Sequence, residues 1–137
     1  IKGKSGIGKS TLLNIIAGLI ENYKGDILVN GSNLRTIDKS SWFHKITIVP
    51  QNIFINEDTL LNNVILDDQK QQISKEIDKA NSALEESGLK SFIKNLEYGT
   101  NTTIKNNAKM ISGGEKQRLA IARAIYKNSD VLFLMNQ

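Results

Sequence analysis

The sequence predicts an α/β fold carrying a helical subdomain and a small antiparallel β hairpin. Three observations predict it. The chain opens on Gly3-Lys4-Ser5-Gly6-Ile7-Gly8-Lys9-Ser10-Thr11, which fits the phosphate-loop pattern G-x-x-x-x-G-K-[ST] found between a strand and a helix. Near its far end, Val131-Leu132-Phe133-Leu134 has the composition of a buried parallel strand. Between the two, residues 67–96 turn polar and charged with apolar residues at helical spacing, which marks the subdomain.

Each element follows in order. The apolar run 12–20 reads as a helix entered from the glycine loop, with a stop expected at Tyr23-Lys24-Gly25. Residues 26–29 read as a short strand, and Asn30-Gly31 is a strong two-residue hairpin turn, since both residue types tolerate positive φ. The return strand covers 32–35. A short helix over 36–43 packs Trp42 and Phe43 inward. The β-branched run 46–49 is a strand ended by Pro50, which cannot donate to a ladder. Thr59 can cap a short helix carrying Leu60, Val64 and Ile65. Ile73, Ile77, Ala80 and Leu84 recur on one helical face that ends near Gly88, and Phe92, Ile93 and Leu96 suit a further short helix. Residues 101–110 have turn-prone composition and no period, which predicts a loop.

Composition bounds the rest. A length of 137 residues suits one domain with a real core, and 39% hydrophobic and 23% charged residues suit a globular chain. The net charge of +4 is mild and the basic residues are scattered, so no nucleic-acid partner is implied. There is no cysteine, which removes disulfides and thiolate chemistry. The longest apolar run, 12–20, contains Asn14 and is too short to span a bilayer. With only Ile1 and Lys2 ahead of Gly3, and three residues after the strand at 131–134, the chain reads as cut at both ends.

Two stretches carry chemistry. In the first, glycines let backbone N–H groups converge on an anion, Lys9 adds a flexible point charge for β/γ-phosphate oxygens, and Ser10 offers a hydroxyl to Mg²⁺. The helix that follows presents its positive N-terminus to the same anion. The plainer alternative is a Gly/Ser/Lys-rich turn ahead of an ordinary helix. The second stretch is Ile111-Ser112-Gly113-Gly114-Glu115-Lys116-Gln117-Arg118, followed by a helix to about Tyr126. Its wheel gathers Leu119, Ile121, Ala122, Ile125 and Tyr126 on one arc and Lys116, Arg123 and Lys127 opposite. Ser112 and Glu115 fit the capping box S-x-x-E. A cap and a second anion site are compatible readings, because a capped N-terminus still presents N–H groups.

Together, the loop at 3–11 and Ile111-Ser112-Gly113-Gly114-Glu115 resemble the nucleotide-binding domain of ATP-binding cassette (ABC) proteins. The second motif is similar to the family signature L-S-G-G-Q, Val49-Pro50-Gln51 to its Q-loop, and Leu119-Ala120-Ile121-Ala122-Arg123-Ala124 to the run that follows the signature. The resemblance runs along nearly the whole chain. It implies a three-layer core of the P-loop NTPase type, with residues 67–96 as an inserted helical subdomain. It implies ATP and Mg²⁺ as cofactors, with Gly3, Lys4, Ser5, Gly6, Gly8, Lys9, Ser10 and Thr11 holding ATP. Gln51 would face Mg²⁺ and the attacking water, with Ser10 as the other metal residue. Ser112, Gly113, Gly114 and Glu115 would contact the ATP of a second domain in a head-to-tail dimer. A transmembrane domain, on the same polypeptide or another, would be the partner driven, at the cytoplasmic face of a membrane.

The stretches 52–62 and 96–104 look most like exporters. The acidic loop that exporters carry before the signature, similar to T-E-V-G-E-R-G, is here Thr102-Thr103-Ile104-Lys105-Asn106-Asn107-Ala108. The family's aspartate and glutamate after the last strand are replaced by Met135 and Asn136. Methionine is a poor Mg²⁺ ligand and asparagine is no general base. No residue is therefore assigned to catalysis, and whether the chain is an active ATPase stays open. The alternatives are a binding-only module that supports a competent partner, and a non-transport ABC ATPase. His44 precedes Gln51 and so is not the family's switch histidine; it reads as a surface residue. Lys70, Lys75 and Lys79 read as a solvated helix face.

Overall fold

A computed structural model describes residues 4, 6–50, 52–66, 74–105 and 110–135. The chain divides into two units, one of residues 1–51 and 129–137 and the other of residues 52–128.

In the first unit, helix α1 spans Lys9–Ile16, starting earlier and stopping sooner than the apolar run predicts. The stop is set by backbone geometry. Gly18 takes φ +77°, its N–H bonds the Ile15 carbonyl, and the Leu19 N–H bonds the Asn14 carbonyl, both at 2.9 Å. This is a Schellman closure, which satisfies the Asn14 and Ile15 carbonyls whatever the hydropathy beyond. Strands β1 (Leu28–Val29) and β2 (Ser32–Asn33) pair antiparallel around Asn30-Gly31, with φ of +50° and +83°, as the turn chemistry requires. The return strand is shorter than predicted, because the Asn33 side chain accepts the Arg35 N–H and starts a 3₁₀ turn over Leu34–Thr36. Helix α2 (Lys39–Lys45) is capped by Asp38, whose carboxylate accepts the Ser41 N–H at 2.8 Å and is held below its usual pKa by that bond.

Strand β3 (Ile46–Val49) pairs in parallel with β6 (Val131–Leu134), Ile46 opposite Val131 and Val49 opposite Leu134. Ala17, Leu34, Trp42 and Ile46 form the buried core of this unit, with Ile48 and Phe133 packed on it. Trp42 is 7% exposed, and its indole N–H donates to the Ile16 carbonyl at the end of α1. The expected burial of β6 is not found. Val131, Leu132 and Leu134 are 37–47% exposed, because β6 has β3 as its one strand partner among the described residues. His44 is exposed, with Nδ1 on the Ser40 carbonyl, as its surface reading expects.

The second unit is mainly helical. Strand β4 (Asp58–Thr59) leads into α3 (Asn62–Ile65), where the Thr59 hydroxyl accepts the Asn62 N–H. Helix α4 (Ser74–Glu86) buries Ala80, Ala83 and Leu84 and ends at Gly88 (φ +85°) with the same closure as α1: Gly88 N–H to Glu85 and Leu89 N–H to Leu84. Helix α5 spans Lys90–Lys94. The predicted loop at 101–110 instead contains β5 (Thr103–Ile104), antiparallel to β4. Helix α6 (Gly113–Lys127) buries Leu119, Ala120, Ala122 and Ala124. Leu60, Leu84, Leu89, Ile104 and Leu119 are fully buried together in this core. The Lys75 and Lys79 side chains are exposed, Lys79 resting over the Tyr126 ring. No helix of the described residues is long and apolar enough to cross a membrane.

Candidate functional site

The two stretches singled out in the sequence lie in different units, and each is built from a helix N-terminus. At the first, Gly6 (φ +83°) and Gly8 (φ +94°) hold the left-handed conformations that bend the loop back on itself. A Cβ at either would meet nothing within 4 Å, so the need for glycine there is conformational and not a matter of space. Gly8 is the N-cap of α1 and supplies no side-chain cap, and the first turn holds no acidic residue. Lys9 opens the helix and folds its Nζ back to the Lys4 carbonyl at 2.8 Å, pinning the loop across its mouth. An ammonium has three donors, so holding that carbonyl is compatible with reaching an anion. Ser10 and Thr11 stand exposed in the first turn. Gly3, Ser5 and Gln51 lie outside the described residues, and so do Lys70, Ile73, Asn106, Asn107, Ala108 and Asn136.

The second stretch is a closed capping box. Ser112 Oγ accepts the Glu115 N–H at 3.3 Å, and Glu115 Oε2 accepts both the Ser112 N–H and the Ser112 hydroxyl at 2.7 Å. These bonds, aided by the Arg118 charge, hold the Glu115 carboxyl below its ordinary range. Gly113 and Gly114 form the first two positions of α6 and are exposed. Arg118 lies along this end of the helix, its guanidinium within 3.8 Å of where a Gly114 Cβ would sit.

Two further residues matter here. Met135, at the exit of β6, donates its N–H to the Val49 carbonyl at 3.0 Å, so the strand ladder continues to the position where the family's aspartate is expected. Arg123, which the helical wheel placed opposite the apolar arc with Lys116 and Lys127, is half-buried and bonds three acceptors in the segment around α3: Nε to the Asn63 carbonyl at 2.6 Å, Nη1 to the Phe54 carbonyl at 2.8 Å and Nη2 to Asn63 Oδ1 at 3.3 Å. Burial lowers its pKa without an ionisable partner as cause. No local sequence signal marks it, since its acceptors lie 60 and 69 residues away.

A left-handed glycine loop heading a helix, with a parallel strand pair in the same unit, defines an α/β domain of the phosphate-loop class. Comparison with known proteins narrows this. The family model described as ABC transporter matches residues 1–134, and the chain belongs to that family. An ATP-dependent lipid A-core flippase of Francisella novicida is 37% identical over 132 residues, 95% of this chain and 21% of the relative. The mitochondrial iron-sulfur clusters transporter ATM1 of Yarrowia lipolytica is 37% identical over 134 residues, 98% of this chain and 18% of the relative. The structure of a bacterial Atm1-family ABC exporter with ATP bound superposes with a TM-score of 0.81 at 30% identity, over 96% of this chain and 22% of that one. The chain thus spans about a fifth of the length of these relatives.

Proposed function

We propose that this chain is the ATP-binding part of an ABC exporter. Residues 3–11 grip the phosphates of ATP, and Ser112, Gly113, Gly114 and Glu115 face the nucleotide of a second such domain in a head-to-tail dimer. The observation that carries the phosphate-loop part of the reading is the open N-terminus of α1; the capped N-terminus of α6 is compatible with the second part, since a capped N-terminus still presents N–H groups. Helix α6 is closed by its own Ser112 and Glu115. Helix α1 opens on a left-handed glycine with no cap side chain and no carboxylate in its first turn, so its dipole and N–H groups are directed to an external anion.

The residues present fit ATP with Mg²⁺. Nothing fills the space beside Gly6 and Gly8, Lys9 supplies charge, and the exposed Ser10 hydroxyl is a suitable Mg²⁺ oxygen with Gln51 as the second group. When bound, Mg²⁺ neutralises phosphate charge. The relatives are named for different cargoes, a lipid A core and iron-sulfur clusters, so what transfers is ATP-driven export and no particular cargo. A transmembrane domain at whose cytoplasmic face this part works is the partner the reading requires.

One observation favours a binding-only variant of this reading. The register of β6 delivers Met135, a soft thioether, where a carboxylate would support the metal. Titration with a fluorescent ATP analogue in Mg²⁺ is expected to show saturable binding that Lys9→Ala removes. Equal binding by both chains refutes the phosphate-loop assignment. Phosphate release by the wild-type chain that Lys9→Ala abolishes refutes the binding-only variant.

A further inference from the structure

The guanidinium of Arg123 belongs to neither nucleotide-facing stretch, yet it ties the signature helix to the chain just after Gln51. Phe54, whose carbonyl it holds, lies three residues beyond Gln51. Side-chain burial does not fix that point, because Phe54 is 71% exposed. The other arm of the clamp is Asn63, fully buried. Its Oδ1 accepts the Asn56 N–H at 2.9 Å, and its Nδ2 donates to the carbonyls of Asn56, Asp58 and Thr59 at 3.0–3.3 Å. Residues 54–63 are therefore organised by one amide from within and by one guanidinium from α6. The planar fork spans two carbonyls at once, which a lysine ammonium on its single terminal atom does less well.

We propose that Arg123 is a positioning residue that makes the segment after Gln51 move with the signature helix, so that nucleotide drawn against Ser112–Glu115 by a second domain is felt at the downstream anchor of Gln51. The clamp itself follows from the hydrogen bonds; its use in nucleotide sensing rests on the proposed function. Hydrogen exchange of the full chain, with and without Mg-ATP, separates the two for wild type, Arg123→Lys and Arg123→Ala. Without nucleotide, Arg123→Ala should exchange at least about tenfold faster over 53–58, with α6 within about twofold of wild type and Arg123→Lys between the two. Unchanged exchange over 53–58, or equal loosening of α6, overturns the clamp. With Mg-ATP, the wild type should gain protection over 53–58 and over the first turn of α6 together, and Arg123→Ala should keep the α6 response and lose that of 53–58. Retention of both responses in Arg123→Ala overturns the positioning role. A wild-type chain that binds the ATP analogue yet responds in neither region overturns the sensing role, one that binds no analogue overturns the proposed function, and the nucleotide-free arm still decides the clamp.

Discussion

Gly8→Ala isolates the conformational part of anion binding. Gly8 sits at φ +94°, and a Cβ there meets nothing within 4 Å. The cost of alanine is thus the left-handed backbone alone, about 1–2 kcal/mol. In the free protein the loop around Gly8 is exposed and held by the Lys9 Nζ bond to Lys4 and an Ile7 N–H contact at 3.4 Å. Such a loop relaxes readily, so the cost falls on the bound state, where N–H groups must converge on phosphate. About 1–2 kcal/mol corresponds to about 5- to 30-fold weaker ATP binding. Gly25→Ala is the matched control, since Gly25 has φ +92°, equally open surroundings and a place in a turn remote in sequence from the loop. It should lower the melting temperature by a few degrees, about 2–8 °C, and leave the ATP affinity unchanged. Calorimetric titration of the three chains with Mg-ATP decides the matter. Binding by Gly8→Ala within twofold of wild type, or equal weakening by Gly25→Ala, refutes the argument.

Two other outcomes follow from the geometry. The Glu115 carboxyl is held below its ordinary value of 4.5 in the folded chain, so its contribution is complete above that value and lost as pH falls through the lowered one. Wild type should therefore lose stability relative to Glu115→Gln as the pH goes from about 6 to about 3, and parallel acid-unfolding curves would contradict the capping box. Leu84 is fully buried among Leu60, Leu89, Ile104 and Leu119; Leu84→Ala should cost about 2–5 kcal/mol in urea unfolding, and a loss below about 1 kcal/mol would mean the cavity collapses at little cost.

Local chemistry was readable wherever one short stretch decides the outcome. Asn30-Gly31 made the turn it predicts, Thr59 met the Asn62 N–H, Ser112 and Glu115 closed reciprocally, and the spacing of Ile77, Ala80 and Leu84 marked the buried face of α4. Features set by partners distant in sequence were not readable. The end of α1 was hidden in an apolar run because Gly18 decides it through backbone bonds. β5 exists only through pairing with β4, which leaves no period in Thr103-Ile104. The role of Arg123 was hidden because a wheel places it opposite the apolar arc and records the direction of a side chain but not the carbonyls awaiting it. Apolar composition likewise records what β6 is suited to bury, and a two-stranded pair offers it few neighbours. At the candidate site, the glycine conformations and the cap were legible, while the Lys9 Nζ contact with Lys4 required coordinates.

The parallel pairing of β3 with β6 has a consequence for the order of assembly. Its flanking contact between Thr47 and Ser129 joins residues 82 apart in sequence, whereas residues 52–128 form a continuous unit. On a ribosome, the whole of that continuous unit is synthesised before β6 exists to complete the strand pair. Closing so long a loop carries an entropic cost that short-range contacts avoid, and such pairings form late. Strand β3 is thus made well before residues 131–134, with which it pairs. In the interval β3 presents an open hydrogen-bonding edge, a template for pairing with other chains, which makes prompt arrival of residues 131–134 a condition for productive folding.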